Sequence, residues 1–324
     1  MLCILLVALA AFAGCGGNEQ AAGGGAIPRL TDKTGEPEIH KLRVGALPIT
    51  DLKQLYVADA KGFFRREGLE VEIQNFEGGA TIIPAVESGS VDLGWSNSVS
   101  ILQARARGLE TRFFAGGLYQ GPGHWTSAIM VRADSAIRTP AQLPGSTVAL
   151  NTLGNINELV MRAYLDREGV APDAYELLEV PFPDQPGALD AGRIDAIVPT
   201  EPFTTVAEQS GARVVHARPF SVLGPEPFVA AFFTTDDWLR EHPNTAAAFR
   251  RAVNRATVYW NAHPEQRAGI IARYTKVPAA AAKRIAFGEP RTEISAADVQ
   301  RQIELCRRYE LIPKTFDAGE VLTG

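Results

Sequence analysis

The chain has 324 residues, about twice the size of an average single domain, so we expect two packed units. Its 46% hydrophobic and 21% charged residues are typical of a globular protein and exclude a mostly disordered or multi-spanning membrane chain. The net charge is −5, and no basic segment is interleaved with aromatic residues, so the electrostatic signature of a nucleic-acid-binding protein is missing.

The first forty residues have the features of an export signal followed by a tether. Residues 2–13 form an apolar run that is too short for a membrane-spanning helix but suits the core of a signal peptide. The run leads to Phe12-Ala13-Gly14-Cys15, which resembles the lipobox of bacterial lipoproteins. This resemblance implies a signal peptide and lipobox over residues 1–15 and a lipid anchor on Cys15; the alternative is a frayed apolar N-terminus. Residues 16–40, rich in Gly and Ala without periodicity, predict a flexible linker.

From residue 41 onward, strand and helix patterns alternate in a first series. Alternating apolar residues predict strands, and apolar residues at helical spacing predict helices. The predicted strands are 42–47, 69–73, 91–95 and 112–116, and the predicted helices are 52–63, 82–87 and 98–107. This alternation indicates an α/β unit with a largely parallel sheet.

A second series of the same kind follows a segment at 126–132. Its predicted strands are 147–150, 176–180, 194–198 and 213–216, and its predicted helices are 156–168, 187–191 and 203–209. One further strand is predicted at 228–234. The remainder is predicted to be helical, with helices at 237–240, 245–261, 264–274, 279–285 and 296–309.

An internal repeat supports the division into two units. Residues 85–92 (Ala-Val-Glu-Ser-Gly-Ser-Val-Asp) match residues 188–195 (Ala-Leu-Asp-Ala-Gly-Arg-Ile-Asp) at a constant offset of 103 residues. In each copy a helix ends at a glycine suited to positive φ, a branched apolar residue then opens a buried strand, and an aspartate lies at the junction. A common helix-strand connection explains part of this match, but two copies at corresponding points indicate two similar lobes that face each other.

Several motifs in order carry a resemblance to a known family. They are residues 56–64 (Tyr-Val-Ala-Asp-Ala-Lys-Gly-Phe-Phe), residues 68–72 (Gly-Leu-Glu-Val-Glu), Gly78-Gly79, the repeat, and Glu201-Pro202-Phe203. Over residues 40–270 the chain resembles the substrate-binding proteins of ABC importers for alkanesulfonates, taurine, nitrate and thiamine pyrimidine precursors. The resemblance implies the α/β, two-lobed type II periplasmic-binding-protein fold. Each lobe would have a mainly parallel sheet flanked by helices, with a helical C-terminal portion and two crossing strands as the hinge.

This fold places lobe one at 41–131 plus 220–324, lobe two at 132–219, and the ligand between them. Loops at the carboxyl ends of strands and helix N-termini converge there. The loops in question are 48–53, 77–81, 96–98 and 119–125 in lobe one, and 151–157, 182–185 and 200–203 in lobe two. The candidate ligand-binding residues are Thr50, Asp51, Trp95, Ser96, Asn97, Ser98, His124, Trp125, Thr152, Gly154, Asn155, Glu201 and Phe203.

Each candidate also has a purely structural interpretation. Short polar residues such as Thr50, Asp51 and those at 96–98 commonly cap a helix, and Asn155 with Glu158 fits a capping box. Trp95 has the alternative of ordinary core packing, and His124 with Trp125 that of a packed linker. Glu201 has the alternative of a first-turn carboxylate that interacts favourably with a helix dipole. His216 and Cys306 are interpreted as structural.

The charges of these loops bear on the ligand. They contain Asp51, Glu77, Asp184 and Glu201, and Lys53 is their only cation. A dedicated anion site often contains arginine in bidentate geometry. The loops therefore favour a small polar organic ligand with nitrogen donors, such as a pyrimidine precursor, although helix N-termini alone can hold a sulfonate or nitrate.

The sequence favours a binding protein over an enzyme. It contains no H-E-x-x-H, G-x-S-x-G or P-loop motif, and Cys3, Cys15 and Cys306 have no paired spacing for a metal or redox site. We predict a monomeric extracytoplasmic lipoprotein without catalytic residue, cofactor or metal. Its partners would be a small-molecule ligand, an ABC permease and, through Cys15, a membrane. The alternative is an enzyme on the same fold, because relatives of the pyrimidine-binding proteins make that pyrimidine in the cytoplasm from a histidine and pyridoxal phosphate. Lys53 is the candidate cofactor lysine, and the export signal disfavours this alternative.

Overall fold

The computed structural model of the protein describes residues 27, 29–30, 33–171, 173–275 and 277–323. The predicted signal peptide, the lipobox with Cys15 and the first part of the predicted linker lie outside the described residues. The end of that linker differs from the prediction. The Glu38 carboxylate accepts hydrogen bonds from the backbone N–H groups of Asn244 and Thr245, at 2.9 and 2.8 Å. Because these bonds satisfy free N–H groups at a helix start, residue 38 is fixed to the folded body.

The described residues contain eleven strands and twelve α-helices. The strands are β1 (Lys41–Ala46), β2 (Glu70–Asn75), β3 (Leu93–Asn97), β4 (Thr111–Tyr119), β5 (Ile129–Arg132), β6 (Thr147–Leu150), β7 (Glu176–Glu179), β8 (Ala196–Ile197), β9 (Ala212–His216), β10 (Phe228–Thr235) and β11 (Glu289–Arg291). The helices are α1 (Lys53–Ala60), α2 (Phe63–Arg66), α3 (Gly79–Glu87), α4 (Ser98–Ala106), α5 (Ile156–Arg167), α6 (Gln185–Asp190), α7 (Phe203–Gln209), α8 (Asp236–Glu241), α9 (Pro243–Ala262), α10 (Arg267–Thr275), α11 (Ala279–Ala282) and α12 (Ala296–Arg308).

The strands form two separate sheets. The first has six strands in the order β11-β4-β10-β3-β1-β2, and the second has five in the order β7-β6-β8-β5-β9. We call the body around the first sheet lobe one and the body around the second sheet lobe two. Helices α8 to α12 follow β10 in the chain, and α9 packs on β4 of the first sheet. The predicted α/β architecture of two lobes is confirmed.

Two details differ from the predicted fold. Both sheets are mixed rather than mainly parallel. The chain returns from the second sheet as β10, which lies between β3 and β4 and runs antiparallel to both. The predicted boundary at 131/132 is also too late, because β5 pairs with β8 and β9 in the second sheet. The chain therefore crosses between the sheets over residues 120–128 and returns over residues 217–227.

The two copies of the repeat perform the same structural task. Gly89 and Gly192 have φ values of 69° and 66°, a backbone conformation in which a side chain is unfavourable. Asp92 accepts a hydrogen bond of 2.7 Å from a backbone N–H of β1, and Asp195 accepts one of 2.8 Å at the start of β6. Each aspartate thus ties the strand that follows it to the parallel strand beside that strand.

Close packing of α3 on the first sheet positions one wall of the cleft between the lobes. A Cβ atom at Gly45 would lie 2.7 Å from Cγ2 of Ile82, and one at Gly94 would lie 2.5 Å from the same atom. Because both glycines lack a side chain, Ile82 lies directly on β1 and β3. This packing brings the start of α3, at Gly78 and Gly79, to the carboxyl end of the sheet.

Most predicted elements lie within a few residues of the observed ones, and β6 and α7 match their predictions. Strand β11 was not predicted. Its sequence, Glu289-Pro290-Arg291, combines charged residues with a proline, which lacks the N–H group that a central strand requires. The strand lies at the edge of the sheet, where proline is tolerated.

Candidate ligand-binding cleft

Three helices begin at the cleft between the two sheets. The side chain of Asn97 caps α4 by accepting the N–H of Ser100 at 3.0 Å. The side chain of Asn155 caps α5 by accepting the N–H groups of Asn157 and Glu158 at 2.9 and 3.2 Å. Helix α3 begins at Gly79 without a side-chain cap. Polar residues at these strand ends therefore fix the helix starts, and the positive ends of three helix dipoles lie along the cleft.

The cleft encloses a small cavity lined by residues of both lobes. Its volume is about 40 Å³, room for only a few water molecules. The lining residues are Leu47, Ile49, Asp51, Gly79, Trp95, Asn97, Gln120, Phe220 and Val229 on the side of lobe one and the crossings, and Ser127, Asn151, Asn155, Ile156, Asn157, Phe182 and Thr200 on the side of lobe two. Among them are neutral amides, hydroxyls and one carboxylate, but no lysine or arginine.

The two lobes are in contact across the cleft. The backbone N–H of Ile156 donates to Oδ1 of Asn97 at 3.2 Å. At the mouth of the cleft, a Cβ atom on Gly78 would lie only 2.6 Å from Cγ2 of Thr152. On the outer surface Asp166 accepts hydrogen bonds from Tyr309 at 2.8 Å and from an arginine at 3.1 Å. In the structure the two lobes therefore touch both inside the cleft and on the outer surface.

Among the described residues that line the cavity, Asp51 has the only carboxylate. Its side chain is buried, and its Oδ1 has no hydrogen-bond partner within the described part of the chain. Burial raises the pKa of Asp51 to about 6, and the Lys53 ammonium and Thr200 hydroxyl act in the opposite direction. Since an unpaired buried carboxylate is costly, Asp51 is suited to accept a donor from outside the protein.

Lys53 is buried nearby but does not line the cavity. Its Nζ has no hydrogen-bond partner among the described residues and lies 5.9 Å from the ring centroid of Trp260. Burial lowers the pKa of Lys53 to about 8, partly offset by the Asp51 carboxylate. The ammonium is therefore held against an aromatic ring on the lobe-one side, away from the space between the lobes.

Four of the predicted ligand-binding residues line the cavity. They are Asp51, Trp95, Asn97 and Asn155. Phe203 instead lines an adjoining groove of about 270 Å³ that shares three apolar residues with the cavity. The remaining eight predicted residues do not line the cavity.

Ser96 and Ser98 are turned away by their places in the backbone. Side chains alternate along a strand, so Trp95 and Asn97 face the cavity while Ser96 faces α3. The hydroxyl of Ser96 lies against Gly79, at 2.5 Å from the position of a Cβ there. The hydroxyl of Ser98 donates to Gln302 of α12. Both serines therefore support the packing of lobe one.

Thr50 and Glu201 connect the lobes by a backbone contact. The N–H and the hydroxyl of Thr50 donate to the carbonyl oxygen of Glu201 at 3.0 and 3.2 Å. Neither Thr50 nor Asp51 makes a side-chain cap of α1, so the capping alternative is wrong for both. The Glu201 carboxylate accepts bonds from the N–H and hydroxyl of Thr205 at 3.0 and 2.9 Å and from Ala286 at 3.3 Å. Burial raises the pKa of Glu201 to about 7. The structure therefore favours the helix-start interpretation of Glu201.

The loop before α5 supports the cleft from behind. Thr152 accepts a hydrogen bond of 2.9 Å from the amide of Asn155. The N–H of Gly154 donates to Glu158 at 2.7 Å. Since the Glu158 carboxylate is engaged there, the expected cap by Asn155 is present but the predicted capping box is not closed.

His124 and Trp125 lie on the first crossing, outside the cavity. Nδ1 of the exposed His124 lies 3.2 Å from the carbonyl oxygen of Phe287, and Trp125 packs half-buried against the core of lobe one. These contacts match the packed-linker alternative.

Sequence reasoning missed several lining residues. Gly79, Gln120, Asn151, Asn157, Phe182 and Thr200 lie in loops that were expected to line the cleft, but none was singled out. Ser127, Phe220 and Val229 lie outside those loops, at the ends of the two crossings. The expected hinge could have indicated Ser127, Phe220 and Val229. Residues beside the two segments that cross between the lobes must lie near the space between the lobes.

The described ranges show neither a metal site nor a membrane-spanning helix. Within them, no group of three or more His, Cys, Asp or Glu side chains is arranged to hold a metal ion. No helix in those ranges combines the length and the apolar character needed to cross a bilayer.

Comparison with known families identifies the chain. The model of the family described as NMT1/THI5 like matches residues 49–267, which is more than half of the sequence. The chain belongs to the NMT1/THI5-like family. The matched range includes both crossings, all of the second sheet and, apart from Leu47, the described residues that line the cavity.

Curated relatives within the family carry two kinds of name. The chain is 24% identical over 219 residues to the formylaminopyrimidine-binding protein of Halalkalibacterium halodurans, covering 67% of this chain and 64% of that one. It is 25% identical over 222 residues to the 4-amino-5-hydroxymethyl-2-methylpyrimidine phosphate synthase of Candida albicans, covering 65% and 64%. The chain thus spans just under two thirds of the length of these relatives.

Solved structures share the fold. The alkanesulfonate-binding protein SsuA from Xanthomonas axonopodis pv. citri, bound to MOPS, has a TM-score of 0.73 at 20% identity, covering 88% of this chain and 98% of that chain. The periplasmic nitrate-binding protein NrtA from Synechocystis PCC 6803 has a TM-score of 0.72 at 17% identity, covering 88% and 85%. The fold is that of the periplasmic binding proteins.

The synthase names raise the question of whether the cleft suits pyridoxal phosphate, the cofactor that the enzyme alternative requires. A lysine in the cleft would be needed to hold it. Lysine is absent from the described residues that line the cavity, and Lys53 lies against Trp260 instead. The residues present do not fit this cofactor.

Proposed function

We propose that the protein is the extracytoplasmic substrate-binding component of an ABC importer, and that its two lobes close on a small polar ligand. The observation that carries the proposal is the cavity between the lobes, with its buried carboxylate and amides. A binding protein needs polar groups in the cleft that lack a partner within the protein and acquire one from the ligand. Oδ1 of Asp51 meets that requirement within the described chain. The closed form would then be the one that an ABC permease recognises.

The lining favours a nitrogen compound over an anion. Asp51 has the only charged side chain among the described residues that line the cavity, and an anion beside it would meet an uncompensated negative charge. Trp95 supplies an apolar face suited to a flat ring. A nitrogen heterocycle such as a pyrimidine precursor combines a flat ring with N–H donors, so we place it ahead of sulfonate and nitrate.

Location and anchoring are part of the proposal. The apolar run and Cys15 support export, cleavage and lipidation of Cys15. The protein would act as a monomer held at the outer face of the cell membrane by acyl chains. Replacement Cys15→Ser should release the folded protein from the membrane fraction; a variant that stays membrane-bound would contradict the anchor.

The test is ligand binding by the purified full-length protein. The probes are 4-amino-5-hydroxymethyl-2-methylpyrimidine, taurine and nitrate. Their binding is measured by thermal unfolding, calorimetry and X-ray scattering. We expect one of them to raise the melting temperature, because a ligand at 100 times its Kd stabilises the folded state by about 2.7 kcal/mol. The radius of gyration should decrease as the lobes close. The binding function would be refuted if no probe changed either quantity.

The dependence of affinity on pH separates the ligand classes. For nitrate, affinity should fall by up to about tenfold per pH unit above pH 6, because Asp51 is ionised in that range. The variant Asp51→Asn should remove this decrease. Anion affinity that is constant from pH 5 to pH 8 in the wild type would show that Asp51 does not face the ligand.

A further inference from the structure

Three asparagines at the start of α5 are linked into one hydrogen-bonded chain. Oδ1 of Asn155 accepts the backbone N–H groups of Asn157 and Glu158. Nδ2 of Asn155 donates to Oδ1 of Asn151 at 2.8 Å and to the hydroxyl of Thr152 at 2.9 Å. Nδ2 of Asn157 donates to the same Asn151 oxygen at 3.1 Å. All three asparagines are buried and line the cavity.

The backbone fixes the orientation of all three amides. A backbone N–H can only donate, so the Asn155 atom that faces α5 must be its oxygen. The amide nitrogen of Asn155 therefore faces Asn151, which must present its oxygen in return. The same Asn151 oxygen also accepts a hydrogen bond from Asn157. The Asn157 side-chain atom that faces Asn151 must therefore be Nδ2. The helix start thus determines which end of each amide remains for the cleft.

Two amide ends are left for a ligand. Oδ1 of Asn157 and Nδ2 of Asn151 make no hydrogen bond with any residue that the structure describes, whereas Asn155 uses both ends of its amide. Oδ1 of Asp51, from the other lobe, is a third free group on the same cavity. The cleft therefore offers two acceptors and one amide donor in fixed positions.

We propose that Asn155 is a positioning residue that sets this pattern of donor and acceptors. Through this pattern, Asn157 and Asn151 form hydrogen bonds with the ligand and select it. The inference rests on the proposed binding function and deepens it. An amino-substituted ring supplies two N–H groups and a ring nitrogen, which match two acceptors and one donor. The corresponding oxo ring supplies a single N–H, so one protein acceptor would stay buried without a partner. An unsatisfied buried group costs enough to reject the oxo ring by tenfold or more.

The test uses 4-amino-2-methylpyrimidine, its oxo analogue 2-methylpyrimidin-4-one, and the variant Asn155→Asp. Aspartate caps a helix as well as asparagine does, so the start of α5 should be preserved. Its second oxygen cannot donate to Asn151, whose amide should turn and present oxygen to the cleft. The amide of Asn157, which donates to the same Asn151 oxygen, should turn with it and present nitrogen, so that donor and acceptor exchange places. At pH 8 the wild type should prefer the amino ring by about tenfold, and the variant should lose that preference.

Asn261→Asp is the matched control, because it adds the same charge at an exposed asparagine that does not line the cavity. Its ratio of affinities for the two rings should stay within about threefold of the wild-type ratio. Selective ¹⁵N-asparagine labelling gives a readout that needs no ligand. Both side-chain N–H groups of Asn155 are bonded and should exchange slowly with solvent.

Each outcome bears on the proposal. If folded Asn155→Asp keeps the wild-type ratio of affinities for the two rings, Asn155 is only a helix cap and the proposal is overturned. Fast exchange of the Asn155 amide, or equal binding of both rings by the wild type, would overturn it as well. If neither ring binds but taurine or nitrate closes the lobes, the proposed function stands and this inference fails. If no probe closes the lobes, both fail.

Discussion

Replacement of Asp51 by asparagine should make the ligand-free protein more stable at neutral pH. The raised pKa of Asp51 means that the folded protein holds a proton between pH 4 and 6 that the unfolded chain has released. The free energy of unfolding therefore decreases as the pH rises through this window, and the loss is complete above about pH 6. An asparagine at this position carries no charge at any pH, so the variant should escape this loss.

The magnitude follows from the shift. A pKa that moves from 3.8 to about 6 corresponds to about 3 kcal/mol at pH 7 for this fully buried group. This value already includes the attraction of Lys53, because the shift is the net of burial and that attraction. At pH 4.5 the same relation gives about 1 kcal/mol. The gap in stability between variant and wild type should thus widen by about 2 kcal/mol between pH 4.5 and pH 7.

The assay is urea denaturation of ligand-free wild type and Asp51→Asn at both pH values, followed by tryptophan fluorescence. Asp173→Asn, at an exposed aspartate, controls for the change in net charge and should show no such gap. A variant that is no more stable than the wild type at pH 7 would refute the reasoning. So would a gap that does not depend on pH, because that result would assign the effect to packing.

Three further predictions concern closure and the lobes themselves. Gly78→Ala should hold the lobes apart, lowering ligand affinity and enlarging the radius of gyration. Gly187→Ala should do neither, because no described residue outside its own helix lies within 4 Å of its Cβ position. Asp92→Ala should lower the free energy of unfolding by about 3 kcal/mol and Asp195→Ala by about 1 kcal/mol. The difference is expected because Asp92 also binds the Arg43 guanidinium, whereas the bond shown for Asp195 is to a backbone N–H. Equal losses in urea denaturation would contradict this. Asp166→Ala removes a contact between the lobes and should weaken ligand binding by about threefold in calorimetry, with less effect at high salt; unchanged affinity would show that this contact does not favour closure.

The order of strands and helices could be predicted because local patterns determine most of it. The alternation in β2 and the repeated helix-glycine-strand connections are each contained in a few consecutive residues. The direction of β10 was not accessible in this way, because its antiparallel place between β3 and β4 depends on where the chain returns from the second sheet. Strand β11 was not predicted because its local sequence disfavours a strand. Pairing with β4 outweighs a local sequence that disfavours strands.

The site was predictable at the level of loops but not of side chains. Asp51 and Trp95 were singled out, and both line the cavity. Glu201 was singled out on the same grounds, yet its carboxylate turns back to Thr205 at the start of α7. A sequence does not reveal which of two acceptable partners a side chain takes. Asn157 shows the converse, since only the hydrogen bonds of the folded loop reveal its free oxygen.

The treatment of buried carboxylates elsewhere in the chain supports a ligand partner for Asp51. Asp236 is buried to a similar extent, and its oxygens accept bonds from Arg112 at 2.7 and 3.1 Å and from Arg105 at 3.3 Å. The same sequence leaves Oδ1 of Asp51 unpaired among the described residues. A cost of about 3 kcal/mol is a large share of the stability of a folded protein, and an arginine nearby would remove it. Such an arginine would also occupy the acceptor that the cleft keeps free. We therefore interpret the unpaired oxygen of Asp51 as an acceptor for a hydrogen-bond donor of the ligand.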